Sequence, residues 1–259
     1  MGSKKISLIF LLLAIFILIG YSWLDKVLEN FLSDYEIVYV DRIIDGDTIE
    51  SNGTSIRLLG INSPETKEPY YPEAKDFLEK EILNKTVRLE YGKDKKDKYN
   101  RGLAYAFLNG ENINLKIVEN GFANYYFPSG KDIYYNDFKK AWENCIDSNK
   151  NLCEISKNIC ANCIELISLD YNSQEILLFN KCNFNCELKN WTIKDEGRKK
   201  FIFPEINLSP KKEIKIKVGE GQNNQETLFW TGEEYVWTKT GDTLFLRDNL
   251  EGLVIWESY

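Results

Sequence analysis

Three short segments of this chain carry residue types that can do chemistry. The first is Asp45-Gly46-Asp47-Thr48, a turn leading into a strand; the second runs from Arg57 through Asn62, Ser63, Pro64 and Glu65 to Thr66; the third is Asp97-Lys98-Tyr99-Asn100-Arg101-Gly102-Leu103-Ala104-Tyr105. Taken singly, each has a structural explanation. Asp-Gly-Asp is common turn chemistry, Pro-Glu often opens a loop or helix, and a loop arginine is usually solvated. Taken together they form a chemical set. The Asp47 carboxylate, the Asn62 amide and the Ser63 carbonyl are hard oxygen donors of the kind calcium prefers. Arg57 and Arg101 supply two guanidiniums that match a phosphate bidentately and can neutralise the charge that develops on it. Glu65 can orient or deprotonate a water. The chain has no histidine, which excludes Ser-His-Asp and Cys-His catalysis and His-ligated zinc. What these segments offer is phosphodiester hydrolysis by carboxylate, guanidinium and an oxygen-bound metal.

In this order and spacing the segments resemble the thermonuclease, or staphylococcal nuclease-like, family, with the similarity running from about Val38 to Trp142. The resemblance implies an OB-fold barrel with three helices, Ca2+, and endonuclease action on DNA and RNA leaving 3′-phosphate ends. It implies Asp47, Asn62 and the Ser63 carbonyl at the metal, Glu65 as general base, Arg57 and Arg101 as phosphate clamps, and Lys98 and Tyr99 at the nucleotide. It also implies a stacking tyrosine, Tyr125 or Tyr126, with Tyr125 taken as the substrate-binding residue. Two departures stand out. Asn62 replaces the family's metal-binding aspartate, so one ligand charge is lost and calcium affinity should fall about tenfold or more. The loop from Lys67 to Pro72 is also shorter than in the staphylococcal protein.

The elements that must position these residues can be read from periodicity. Strands are expected at Ile37 to Val40, from Thr48, at Ser55 to Ile61, Val87 to Tyr91 and Leu103 to Phe107. The last is followed by an Asn109-Gly110 hairpin turn. Helical spacing of apolar residues covers Pro72 to Leu83, Ile113 to Asn120 with Gly121 as its stop, and Tyr134 to Asn149. Short strands first and helices afterwards point to an α+β barrel over 36–150. From Glu165 onward strands recur with turn residues every 8–12 positions, the pattern of an all-β sandwich. The segment Asn190 to Glu196, then Phe201 to Pro204, Trp237 and Thr240 to Thr243 resemble a lamin-tail domain, an immunoglobulin-like sandwich, over 163–257. Residues 151–162 then read as a linker. The resemblance implies an accessory binding module of unknown ligand, with Trp191 and Phe203 in its core and Gly241-Asp242 in a turn.

Lys4 and Lys5 precede 19 uncharged residues, Ile6 to Leu24. As a helix this run spans about 28 Å, enough to cross a bilayer. It is too long for a typical signal core and no A-x-A-like site follows. The expectation is a retained signal anchor over 6–24, a short cytoplasmic segment over 1–5, and the remainder extracytoplasmic; cleavage and secretion is the alternative. The six cysteines suit an oxidising compartment and disulfides. A zinc site from Cys160, Cys163, Cys182 and Cys186, or free thiols, remain open.

With 33 basic and 40 acidic residues the net charge is −7, so bulk cationic attraction does not explain nucleic-acid binding. Substrate grip must be local, and Lys93, Lys95, Lys96, Lys98 and Arg101 form a candidate patch. The leading reading is a membrane-anchored extracytoplasmic nuclease. The alternatives are a nucleic-acid binder that is catalytically weak or inactive, with Asn62 as the lesion, and an envelope structural protein. Retention of Arg57, Glu65 and Arg101 together favours catalysis, because a binder has no need of all three.

Overall fold

The computed structural model describes residues 35–259. The expected membrane span at 6–24 lies outside them, and among the described residues no helix is long and apolar enough to cross a membrane.

The first half begins with β1 (Tyr35–Tyr39), β2 (Arg42–Asp45), β3 (Thr48–Ser51), β4 (Thr54–Leu58) and β5 (Gly60–Asn62). Helix α1 (Tyr71–Ile82), β6 (Thr86–Lys96), β7 (Gly102–Leu108), β8 (Glu111–Asn112), α2 (Ile113–Glu119), β9 (Asn124–Tyr126) and α3 (Tyr135–Ser148) follow. The main sheet runs β1-β6-β7-β4-β3-β2, with β8 on β7. The corner at Val40 and Asp41 draws its ends together. The Val40 amide donates to the Lys85 carbonyl at the root of β6, and the Asp41 amide donates to Glu50 in β3. The result fits an OB-type barrel carrying three helices. Helix α1 buries Ala74, Leu78 and Ile82 at four-residue steps, one face of a 3.6-residue period. Asn109 and Gly110 both take positive φ, as a two-residue hairpin requires.

The second half has two four-stranded sheets. One is β10 (Ile164–Asp170), β11 (Glu175–Asn180), β16 (Glu213–Val218) and β17 (Thr227–Trp230). The other is β14 (Lys200–Ile202), β13 (Thr192–Lys194), β18 (Thr243–Arg247) and β19 (Leu253–Ser258). The small ribbon of β12 (Cys186–Glu187) and β15 (Asn207–Leu208) lies beside them. In β16, Ile214, Ile216 and Val218 are buried while Lys215 and Lys217 face out to Glu175, the alternation of a strand with one wet face. Trp191 and Phe203 lie in the core of this half, as expected.

All six cysteines are in disulfides: Cys145–Cys153, Cys160–Cys186 and Cys163–Cys182. This decides against the four-thiolate zinc site and the free thiols. The stretch read as a linker is tied down. Cys153 is buried and bonded to α3, and Ile155 pairs with Leu253 of β19. The two halves also share apolar packing, because Phe245 and Leu253 belong to the core of the first. The Phe245 ring meets Trp142 of α3 edge-on at 5.3 Å between centroids. Aromatic burial of this kind is among the largest single contributions to packing.

Candidate active site

The β2–β3 turn delivers Asp47. Its amide donates to Asp45 Oδ1 at 3.1 Å, an Asx turn, and Gly46 lets the turn lie against α1. A Cβ on Gly46 would come within 2.8 Å of both Ala74 and Ser63, so a side chain there would push the turn off the site. Asp47 is buried and its carboxylate is fully engaged. Oδ1 accepts Thr48 Oγ1 at 3.0 Å and Arg57 Nη1 at 2.9 Å; Oδ2 accepts the Ser63 amide at 2.9 Å and Ser63 Oγ at 3.0 Å. Arg57, from β4, also donates to the Ile61 carbonyl at 2.9 Å and lies 3.4 Å from Asn62 Oδ1. Asp47, Arg57, Asn62 and Ser63 are therefore one bonded cluster built from three segments. Burial first, and then the charge of Asp47, raises the Asp45 carboxyl above its ordinary range.

Arg101 and Tyr99 lie in the β6–β7 connection. Asp97, to which the sequence reading gave no role of its own, organises this loop. Its carboxylate accepts the amides of Tyr99 and Arg101 at 2.9 Å and pairs with Arg101 Nε at 2.7 Å. Burial opposes that charge, but the bonds from Arg101 and the two amides outweigh it and hold the Asp97 carboxyl below its usual value. Lys98 Nζ and the Arg101 guanidinium lie 5.1 and 5.6 Å from the exposed Tyr99 ring, within cation–π range. A cleft of about 520 Å³ is lined by Arg57, Lys98, Tyr99, Arg101, Tyr126 and Phe127, among others.

Tyr125 is a correction. It is 0% exposed and packs edge-on to Tyr135 and Trp142, with its hydroxyl bonded to Thr243 and Trp256. It cannot stack on a base. Strand alternation sends Tyr125 inward and its neighbour Tyr126 to the cleft, as a period of two demands.

Glu65 stands three residues beyond Asn62 and about half exposed. Its carboxylate meets Arg198 Nη2 at 2.8 Å, and its amide donates to Glu68 Oε2 at 2.9 Å. Arg198 belongs to the loop 195–199 between β13 and β14, and that loop lies against the site. Asn62 Nδ2 donates to the Gly197 carbonyl at 2.6 Å, Asn124 Nδ2 to the Glu196 carbonyl at 2.8 Å, and the Phe127 amide to Glu196 Oε1 at 3.1 Å. Burial, reinforced by the charge of Asp242, pushes the carboxyls of Asp195 and Glu196 up to about 7. No motif announces these contacts; they join residues more than 60 positions apart in the chain.

The donor types suit an oxygen-ligated cation. The Asp47 carboxylate and the Asn62 amide oxygen both reach the Arg57 guanidinium, at 2.9 and 3.4 Å. The set is thin: among the described residues no group of three or more His, Cys, Asp or Glu side chains is placed to hold a metal.

Residues 55–154 match the family described as staphylococcal nuclease homologue. The thermonuclease of Staphylococcus hyicus is 36% identical over 133 residues, 48% of this chain and 75% of the relative. The thermonuclease of Staphylococcus intermedius is 39% identical over 109 residues, 38% of this chain and 65% of the relative. The SPbeta prophage-derived endonuclease YokF of Bacillus subtilis is 37% identical over 117 residues, 40% of this chain and 39% of the relative. Each likeness therefore covers less than half of this chain.

Proposed function

This chain belongs to the staphylococcal nuclease homologue family, and from that membership we propose that it is a calcium-dependent nuclease of DNA and RNA. The observation that carries the proposal is the bonded cluster of Asp47, Arg57, Asn62 and Ser63, with Arg57 shared between the cluster and the cleft that Arg101 also lines. Arg57 and Arg101 bind the non-bridging oxygens of the phosphodiester and stabilise the charge that builds on them. Tyr99, Tyr126 and Lys98 hold the nucleotide on either side. Glu65 orients a water and takes its proton as the oxygen attacks phosphorus. The P–O5′ bond breaks, the 5′ oxygen takes a proton from solvent, and a 3′-phosphate end remains. Asp47, Asn62 and the Ser63 carbonyl would hold a Ca2+ ion, which supplies electrophilic stabilisation at the phosphate when bound. In the reported arrangement Arg57 is bonded to Asp47 and Arg101 to Asp97. Substrate must therefore share or draw off guanidiniums that already have partners.

The second half is read as a lamin-tail-like accessory domain, supported by its two-sheet architecture and its Trp191 and Phe203 core. The three disulfides support an extracytoplasmic location, with 6–24 as the anchor. The competing reading is a nucleic-acid binder that does not cut; it leans on Asn62, whose amide brings no charge to the metal. Incubating the full chain with single-stranded DNA decides between them. Cutting in calcium that stops with chelator and in Glu65→Gln establishes the nuclease. Binding without cutting at about 10 mM calcium, above the weakest extracellular calcium sites near 1 mM, makes it a binder.

A further inference from the structure

The loop that carries the general base is held at Glu65 and Glu68 by cations of the other domain. The amide of Glu65 is bonded to Glu68 Oε2, and Glu68 is in turn gripped by Lys194 at 3.2 Å and Lys200 at 3.4 Å. Burial works against the Glu68 charge, but Lys194, the Glu65 amide and Lys200 prevail and keep its carboxyl below the ordinary value. The carboxylate of Glu65 meets Arg198 on the same β13–β14 hairpin, and Asn62 at the start of the loop donates to Gly197. Both ends of Glu65, backbone and side chain, thus trace to cations on one hairpin more than 120 residues away in the chain.

We propose that Arg198 is a positioning residue for hydrolysis: with Lys194 and Lys200 it holds Glu65 toward the attacking water, so that the nuclease site is complete only when the second domain is docked. This rests on the reading of Glu65 as the general base. Arg198 contacts Oε1, which leaves the second carboxylate oxygen for the water. A base held this way is set in geometry before substrate arrives, and errors of about 1 Å in such geometry cost on the order of 100-fold. The hairpin is not merely a plug, because the cleft lined by Arg57, Arg101 and Tyr126 stays open beside it.

The test uses the full chain. Arg198→Ala should lower kcat about tenfold with KM changed less than about twofold, since an interaction that orients the base acts in the transition state and not in ground-state binding. Arg198→Lys should restore part of that loss, because a cation still reaches Glu65. The Lys194→Ala/Lys200→Ala double variant should lower kcat in the same way. Hydrogen exchange at the Glu65 amide gives a readout that needs no catalysis, and it should quicken in the double variant, which loosens Glu68. Lys189→Ala, which removes another largely exposed pair, with Glu205, should change neither quantity; an equal loss there overturns the proposal. A rise in turnover in Arg198→Ala also overturns it, and makes the hairpin an obstruction. Unchanged turnover in Arg198→Ala reduces the contact to a surface ion pair. If the wild-type chain does not cut DNA, the nuclease reading fails, and the exchange rates alone decide whether the second domain holds Glu65.

Discussion

Two carboxylate–guanidinium pairs involve the candidate site residues and differ in almost every physical respect. Asp47–Arg57 is formed by residues ten positions apart, at 2.9 Å, with side chains 5% and 10% exposed. Glu65–Arg198 spans two domains at 2.8 Å, with side chains 47% and 62% exposed. The distances are nearly equal, so proximity does not separate them; surroundings do. The buried pair is locked by Thr48, Ser63 and the Ile61 carbonyl, and removing one member leaves an uncompensated interior charge. The exposed pair lies in water, where such contacts contribute about 0–1 kcal/mol. The Asp47–Arg57 pair is therefore built into the barrel, whereas the Glu65–Arg198 pair is adjustable and supported from the second half.

Four experiments break or sharpen that contrast, beginning with the largest effect. Glu65→Gln removes the proton acceptor and should lower kcat on the order of 100- to 10,000-fold, with the denaturation midpoint nearly unchanged because the side chain is exposed; kinetics and a urea melt on one preparation read both. Arg57→Ala should do the reverse in proportion. It should cost about 3–5 kcal/mol of stability by stranding Asp47, besides losing a phosphate clamp, and a destabilisation below about 1 kcal/mol would mean the buried pair is no more than a surface one. Arg198→Ala should cost under about 1 kcal/mol of stability while lowering turnover, so the two arginines separate on a plot of stability against activity.

The smallest effect concerns pH. The Asp195 and Glu196 carboxyls are held up to about 7 by burial and by Asp242, with Lys199 and Lys194 opposing the shift at Asp195. Raised carboxyls bind protons in the folded state that the unfolded chain has released, so their contribution is present at low pH and is lost as pH rises through about 7. The melting temperature should therefore be higher near pH 5.5 than near pH 8, and Asp195→Asn should flatten that slope. An unchanged slope in the variant would remove this carboxyl as its source.

Local features were legible in the sequence. The helices at 72–83 and 134–149 appear within a residue or so of their expected ends, as Tyr71–Ile82 and Tyr135–Ser148, because apolar periodicity is a short-range signal. The Asn109-Gly110 turn follows from the positive φ that both residues tolerate. Asp47, Arg57, Asn62 and Ser63 were named from residue type and converge in space. What depended on register or on distant packing was not legible. Tyr125 and Tyr126 differ only in which side of a three-residue strand they face. Cysteine spacing cannot choose among fifteen pairings of six residues. Arg198, in the run Glu196-Gly197-Arg198-Lys199-Lys200, looks like any solvated turn until the hairpin is laid against Glu65.

The insertion of Phe245 against Trp142 has a consequence in time as well as in space. Trp142 is made about a hundred residues before its ring partner, roughly 5–20 s earlier at ordinary rates of synthesis. For that interval the barrel lacks Phe245 and Leu253, which complete its core. A barrel made in this order completes its core only when the last strands, β18 and β19, arrive.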